Sequence, residues 1–222
     1  MPQPVVTCDL FSALLDSSSG ATAALAAIDR AWPVPPAEVY DRWDATSKGL
    51  QRDCATWVPF AELARQALAM TYDELGVPGA PDDDVRALLG SVGQWPLWPD
   101  VEPALADLRE VARVGVLSNV DDDLYAATRA APLLDPALAM TSQRLRAYKP
   151  SPRLYGAARA ELGPFVHVAS SARDVRGSLE AGISAVRLVR PGHRLDPDGP
   201  APEHVISSLA ELPGLLAGIA LR

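Results

Sequence analysis

The sequence has few cysteines, little positive charge and no long apolar run. Cys8 and Cys54 are its only cysteines, and their wide separation argues against a disulfide framework and favours reduced thiols. The net charge of −8 argues against nucleic acid and anionic membranes as partners, because both require a basic face. No segment approaches the roughly 18–20 apolar residues that span a bilayer, and no basic N-terminal segment precedes an apolar run. We therefore expect a soluble, cytoplasmic protein without membrane or nucleic-acid partners.

The first part of the chain combines one predicted strand with a block of helices. Residues 5–9 read as a short buried strand, and residues 10–19 are predicted to be a loop. From about 20 to 94, apolar residues recur at spacings of three and four, the period of an amphipathic helix. Pro36 and Pro59 stand near the starts of two of these helices, where a missing N–H costs little. The block is predicted to hold about four helices and no strand.

Strands and helices alternate in the rest of the chain. The Trp–Pro pairs of QWPLWPD restrict the backbone and mark the return from the helical block. Predicted strands then follow helices at four places, namely 113–119, 137–142, 165–170 and 184–190. This alternation predicts a parallel, doubly wound sheet. The expected architecture is an α/β core of residues 1–16 and 96–222 with an inserted helical domain of residues 17–95.

Polar side chains stand where the predicted strands end. Ligands of doubly wound sheets bind in the crevice at the carboxyl ends of the strands. The residues at or near these ends are Asp9, Ser118, Asn119, Lys149, Ser170, Ser171 and Asp174. They are scattered in the sequence, but the topology predicts that they converge in space.

Four short motifs in a fixed order carry a resemblance to a known family. Asp9 ends the first strand, and LSN, YKP and SSARDVRGSLEAG follow in that order. In these motifs the chain resembles the haloacid dehalogenase-like superfamily, and the helical block resembles its cap. The resemblance implies a Rossmann-like core and a hydrolase whose aspartate attacks an electrophilic centre. The resulting ester or acyl phosphate is then cleaved by water.

The resemblance also implies a role for each matching residue. Asp9 is the nucleophile, and Lys149 keeps its carboxylate ionised and oriented. Ser118 and Asn119 bind the polar group of the substrate, and Asp174 is the acid of the last motif. Other interpretations of the same residues remain open. Asp9 could cap a turn, Lys149 could be a surface lysine, the Ser–Asn pair could form a strand-end turn, and Asp174 could be favoured by a helix dipole.

Departures from the phosphatase pattern favour a dehalogenase. Phosphatases of this superfamily read Asp-x-Asp-Gly-Thr at the first motif, whereas this chain has Phe11 in place of the proton-donating second Asp. Ser170 stands where phosphatases carry the first of two acids that hold Mg²⁺. A halide leaves without a proton, and a monoanionic substrate needs less charge compensation than a phosphoryl group. We therefore expect no cofactor; were Mg²⁺ bound, its ligands would be Asp9 and Asp174.

The expected substrate is a small anion, most like a 2-haloacid. Phe11, Ser12, Ser170 and Ser171 are predicted to line its site. The dehalogenase branch that the chain resembles uses a cap arginine to hold the carboxylate or halide, and the resemblance implies this role for Arg42 of the helical block. Two other functions stay open: a Mg²⁺-dependent phosphatase acting on a small phosphate ester, and a catalytically silent binding protein with the same fold. The sequence does not indicate an oligomeric state.

Overall fold

The computed structural model describes residues 3–220 and contains a six-stranded sheet at its centre. Its strands are β1 (Val5–Cys8), β2 (Arg113–Ser118), β3 (Ala139–Thr141), β4 (Val166–Ala169), β5 (Ser184–Leu188) and β6 (His204–Ile206). Their order in the sheet is β3-β2-β1-β4-β5-β6, and every pair of neighbours is parallel. The predicted doubly wound α/β sheet is confirmed. Because β1 lies between β2 and β4, the order reverses there, and the ends of β1, β2 and β4 form the switch point at which such folds bind ligands.

Ten α-helices surround the sheet or form the inserted block within residues 3–220. They are α1 (Ser17–Ala27), α2 (Pro36–Arg52), α3 (Phe60–Leu75), α4 (Asp82–Gly90), α5 (Val101–Val111), α6 (Asp122–Ala127), α7 (Ser142–Leu145), α8 (Pro152–Leu162), α9 (Ala172–Glu180) and α10 (Leu212–Leu216). None of the helices in this range is long and apolar enough to cross a membrane.

Both faces of the sheet are covered, which explains the apolar strands. Val6 of β1 and Val116 of β2 pack in one cluster with Leu105 of α5. Leu117 of β2 belongs to a second cluster, which includes Tyr155 of α8. Strands that are buried on both faces read as nearly continuous apolar runs, so the pattern of this sequence follows from the layering.

Helices α1 to α4 have an apolar core of their own. It includes Trp43 of α2, Leu68 and Tyr72 of α3, and Leu88 of α4, all of them buried. The expectation of about four helices without a strand is met here, since no strand occurs between β1 and β2. The division of the chain at residues 17 and 95 into two domains stays a prediction.

The loop predicted for residues 10–19 is wrong. A single π-helical turn spans Leu10–Leu14, and α1 already begins at Ser17. The reason is capping, because the side chain of Asp9 accepts the N–H of Ser12 and that of Asp16 accepts the N–H of Ser19. Aspartate at such positions satisfies donors that would otherwise lack a partner.

The two segments that connect the helical block to the sheet pair with each other. Leu15 and Leu97 form an antiparallel bridge. The N–H of Asp16 donates to the carbonyl of Pro96 at 2.9 Å, and the N–H of Trp98 donates to that of Leu14 at 3.0 Å. The block is therefore attached through a short two-stranded ribbon placed directly after the π-helical turn.

Candidate active site

Asp9 lies at the carboxyl end of β1, and its carboxylate is held on both oxygens. The Oδ2 atom accepts the N–H of Ser12 at 2.9 Å and the Ser12 hydroxyl at 2.5 Å. The Oδ1 atom accepts the ammonium of Lys149 at 2.9 Å and the hydroxyl of Ser118 at 3.2 Å. Four donors therefore orient the carboxylate. The residue is 8% exposed and lines a cavity.

The surroundings of Asp9 favour its ionised form. Burial by itself would raise the pKa of this carboxyl group. The charge of Lys149 and the hydrogen bonds from Ser12 and Lys149 outweigh burial and the repulsion from Asp174, so the pKa lies below its ordinary value. Asp9 is therefore a carboxylate at neutral pH, which is the state that a nucleophile requires.

Lys149 lies between two carboxylates and is itself only 2% exposed. Its ammonium contacts Asp9 at 2.9 Å and Asp174 at 2.5 Å. Asn119 holds the backbone of the same residue, since its Oδ1 accepts the Lys149 N–H at 2.8 Å and its Nδ2 donates to the Lys149 carbonyl at 3.1 Å. A buried ammonium needs such compensation to remain charged.

Asn119 has a different set of contacts from the predicted one. Its amide N–H groups are directed to the carbonyl of Lys149 and, at 2.8 Å, to the Oε1 of Gln51 in α2. An amide nitrogen carries two donors, so both are already used. The geometry gives Asn119 the task of positioning Lys149 and of joining the sheet to the helical block.

Asp174 lies in the first turn of α9 and forms the second ion pair with the ammonium of Lys149. The hydroxyl of Tyr155 donates to its Oδ1 at 2.7 Å, and the His167 Nε2 lies 3.1 Å from its Oδ2. Burial would raise the pKa of Asp174, but the positive charge of Lys149 and the contacts with His167 lower it well below the usual range. Asp174 is thus a permanent counter-charge at this site.

His167 is a member of the site, although it lies inside the apolar strand β4. It is fully buried. Its Nε2 lies 3.1 Å from the Oδ2 of Asp174 and 3.4 Å from the ammonium of Lys149, and its Nδ1 shares a hydrogen bond of 2.9 Å with the hydroxyl of Thr7. Thr7 and His167 are direct neighbours in the pairing of β1 with β4. The only signal in the sequence is a polar residue inside an apolar strand, seven positions before Asp174.

A cavity of about 560 Å³ opens in front of Asp9. Most of the predicted site residues line it, namely Asp9, Phe11, Ser12, Ser118, Asn119, Lys149, Ser171 and Asp174. The helical block contributes an aromatic wall, in which Phe11 stacks on Phe60 of α3 with ring centroids 5.8 Å apart and lies 5.8 Å from the ring of Trp95. The strand ends and the helical block thus enclose one pocket, as the topology predicted.

Two predicted site residues do not line this cavity. Ser170 is fully buried behind it. Arg42 points elsewhere, because it forms an ion pair with Glu38 at 2.6 Å and a second one with Glu74 of α3. Glu38 precedes Arg42 by one helical turn, a spacing that favours such pairing. The prediction that Arg42 holds a substrate anion is therefore corrected.

The sequence missed several residues that do line the cavity. Arg173 lies beside Asp174 in α9, and its guanidinium donates to the Oε1 of Gln51 at 2.9 Å. His193 lines the cavity from the segment after β5. Burial and the nearby charge of Lys48 lower the pKa of His193, so it is neutral at pH 7.

The acids of the site do not form a metal centre. Within residues 3–220, no group of three or more His, Cys, Asp or Glu side chains is arranged to hold a metal ion. Asp9 and Asp174, the expected ligands were Mg²⁺ bound, are both occupied by the ammonium of Lys149.

The relatives that a comparison with known sequences finds are all named (S)-2-haloacid dehalogenases. The (S)-2-haloacid dehalogenase 4A of Burkholderia cepacia is 31% identical over 137 residues, so the chain covers 59% of that relative's length. The (S)-2-haloacid dehalogenase of Xanthobacter autotrophicus is 26% identical over 247 aligned positions, gaps included, and the alignment covers 97% of this chain and 95% of that relative. No family model matches the sequence.

The fold has relatives among solved structures. The L-2-haloacid dehalogenase of Xanthobacter autotrophicus with chloropropionic acid covalently bound superposes with a TM-score of 0.83 and 22% identity. That comparison covers 99% of this chain and 100% of the other. The chain is therefore similar in sequence to (S)-2-haloacid dehalogenases and shares the fold of L-2-haloacid dehalogenases.

Proposed function

We propose that this protein hydrolyses small 2-haloacids through an ester formed on Asp9, without a metal ion. The observation that carries the proposal is the carboxylate of Asp9, which is ionised, held by Lys149, Ser12 and Ser118, and placed at the wall of a cavity. The names of the relatives, which are (S)-2-haloacid dehalogenases, support the same reaction.

In the first step an oxygen of the Asp9 carboxylate attacks carbon 2 of the haloacid. A C–O bond forms as the carbon–halogen bond breaks, and the halide leaves with the electron pair. In the second step water attacks the ester carbonyl of Asp9 and the bond from this carbonyl to the ester oxygen breaks. One proton of the water passes to the leaving alkoxide, which gives the 2-hydroxyacid, and the other is released to solvent as the carboxylate is restored. Negative charge develops on the carbonyl oxygen in that step, and Lys149 and the N–H of Ser12 are donors close to it.

The cavity favours a monoanion over a phosphate ester. Asp16 and Asp41 line it near the helical block, beside Asp44, which is paired with Lys48. A phosphoryl group carries a charge of roughly −1.5 to −2 at neutral pH, so these carboxylates repel it more strongly than they repel a single carboxylate. Phe11 also leaves the first motif without a side chain that could protonate an alkoxide leaving group.

A substrate panel tests the proposal against its alternatives. Both enantiomers of 2-chloropropionate, chloroacetate and 4-nitrophenyl phosphate are incubated with the protein, each with EDTA and with added Mg²⁺. We expect chloride release from the haloacids that is insensitive to EDTA. Phosphate release that requires Mg²⁺ would support a phosphatase instead, and thermal shifts without any turnover would support a silent binding protein.

Isotope labelling tests the covalent step. Under single turnover in H₂¹⁸O, attack by Asp9 gives a first product with ordinary oxygen, because the oxygen comes from the aspartate. The heavy oxygen then remains in Asp9, where mass spectrometry of a peptide detects it. A labelled first product would overturn the ester mechanism. A cytoplasmic location and the lack of membrane or nucleic-acid partners stay predictions from the sequence.

A further inference from the structure

The positive charges around the cavity are not equivalent. Lys48, Lys149 and Arg173 line it. Lys149 is shared by two carboxylates, and Lys48 forms an ion pair with Asp44 one turn earlier in α2. Within residues 3–220, no carboxylate oxygen lies within 4 Å of the guanidinium of Arg173. Arg173 is therefore the cavity cation whose charge has no ion-pair partner in the part of the chain described.

Arg173 is nevertheless held in place. Its Nη2 donates to Gln51 at 2.9 Å, and its Nη1 points to the carbonyl of Lys48 at 3.4 Å, so it bridges from α9 to α2. A guanidinium has five N–H donors in a planar fork and stays charged in proteins. Two donors are used in these contacts, which leaves three for a ligand.

Arg173 lies close enough to Asp9 for the charges of the two side chains to interact. Burial lowers the pKa of Arg173, while the charges of Asp44, Asp174 and Asp9 oppose that effect. The nearby Asp44 is already compensated by Lys48. An incoming carboxylate would thus give Arg173 the direct ion-pair partner that it lacks in the described part of the chain, in the same cavity as Asp9.

We infer that Arg173 binds the carboxylate of the substrate, the task that the sequence assigned to Arg42. The inference rests on the proposed function, since a 2-haloacid carries its carboxylate on the carbon that Asp9 attacks. A bidentate guanidinium–carboxylate pair fixes both distance and orientation. The pair would hold carbon 2 of the substrate next to the carboxylate of Asp9. The attack would then be an effectively unimolecular step of the bound complex.

Binding of an unreactive carboxylate tests the inference without any turnover. Propionate, which lacks the halogen, is titrated calorimetrically into the wild type, R173Q, R173K and the control R42Q, in a buffer free of other carboxylates. We expect the Kd for propionate to rise at least about tenfold in R173Q, less in R173K, and not at all in R42Q. Neutral propionamide should bind the wild type and R173Q equally weakly.

Kinetics with 2-chloropropionate add a second readout. R173Q should raise KM more than it lowers kcat, because the interaction is made with the bound substrate before the attack. A wild type that does not bind propionate, or folded R173Q and R173K variants that bind it as tightly as the wild type, would overturn the inference. If haloacids are not hydrolysed at all but propionate binding still depends on Arg173, the proposed function fails while the anion site stands.

Discussion

The ammonium of Lys149 lies 2.9 Å from the Oδ1 of Asp9, although 140 residues separate the two in the sequence. The contact exists because β1 pairs with β2, and Asn119, directly after β2, holds the backbone of Lys149 with two hydrogen bonds. The same ammonium touches Asp174 at 2.5 Å. The charge that keeps Asp9 ionised is thus itself held by a second acid, and the predictions below follow from this arrangement.

Replacement of Asp9 by Asn distinguishes between a nucleophilic role and a purely capping role of this residue. Asn caps helices as well as Asp does, so the Asp9→Asn variant should fold. A neutral amide cannot form the ester, and we expect turnover to fall by at least about 10³-fold. Halide release and thermal unfolding are the two measurements.

Asp135 offers a matched control for Asp9. It also caps a helical turn, accepting the N–H of Ala137, but it lies at the outer surface beside Arg113. Asp135→Asn should keep both fold and activity. Activity retained in Asp9→Asn would instead mean that Asp9 only caps the turn.

Loss of Lys149 should be costly for stability as well as for activity. Lys149→Met keeps the length of the side chain but leaves two buried carboxylates, Asp9 and Asp174, without their counter-charge. Breaking a buried ion pair in this way lowers the free energy of unfolding by roughly 3–5 kcal/mol. Urea denaturation measures the loss, and Lys48→Met, which removes a half-exposed pair with Asp44, should lower it by less than about 1 kcal/mol. Similar losses in both variants would contradict the importance of the buried ion pairs that Lys149 forms with Asp9 and Asp174.

The stability of the wild type should fall in acid. The pKa values of Asp9 and Asp174 are lowered in the folded protein, so the unfolded chain binds protons first as the pH falls. Their contribution to stability is complete above the unfolded value of about 3.9 and is lost as the pH falls through the lower folded values. Unfolding in urea between pH 6 and pH 2.5 checks this. In Asp174→Asn the free energy of unfolding should depend less strongly on pH than in the wild type. The same dependence in both proteins would contradict the lowered pKa of Asp174.

His167 should act by positioning Asp174. His167→Phe keeps an aromatic ring but leaves the Asp174 carboxylate and the Thr7 hydroxyl each with one partner fewer. An unsatisfied buried polar group costs about 1–3 kcal/mol, and we expect kcat to fall roughly tenfold with little change in KM. His167→Gln places an amide donor near the position of Nε2 and should restore most of the activity. Equal activity in the Phe and Gln variants would indicate that the ring only fills space.

The main architecture follows from local patterns in the sequence. Runs of apolar residues such as those around Val114 and Val168 form strands because both faces of the sheet are covered, and the period of three and four marks the helices. The polar residues at the strand ends, Asp9 and Ser118, could be located because parallel strands carry their carboxyl ends to one edge. Lys149 and Asp174 needed the resemblance of the motifs as well.

The direction of individual side chains was decided by the tertiary structure. Arg42 and Arg173 both lie on helices, and nothing in their local sequence says which faces the cavity. The packing of α2 against α3 turns Arg42 towards Glu74, whereas α9 presents Arg173 to Gln51 of α2. The role of His167 likewise depends on Thr7 and Asp174, which approach it only in the folded sheet. Local sequence patterns determine where helices and strands form. A contact between segments that are distant in the sequence depends on how the helices and the sheet pack against each other.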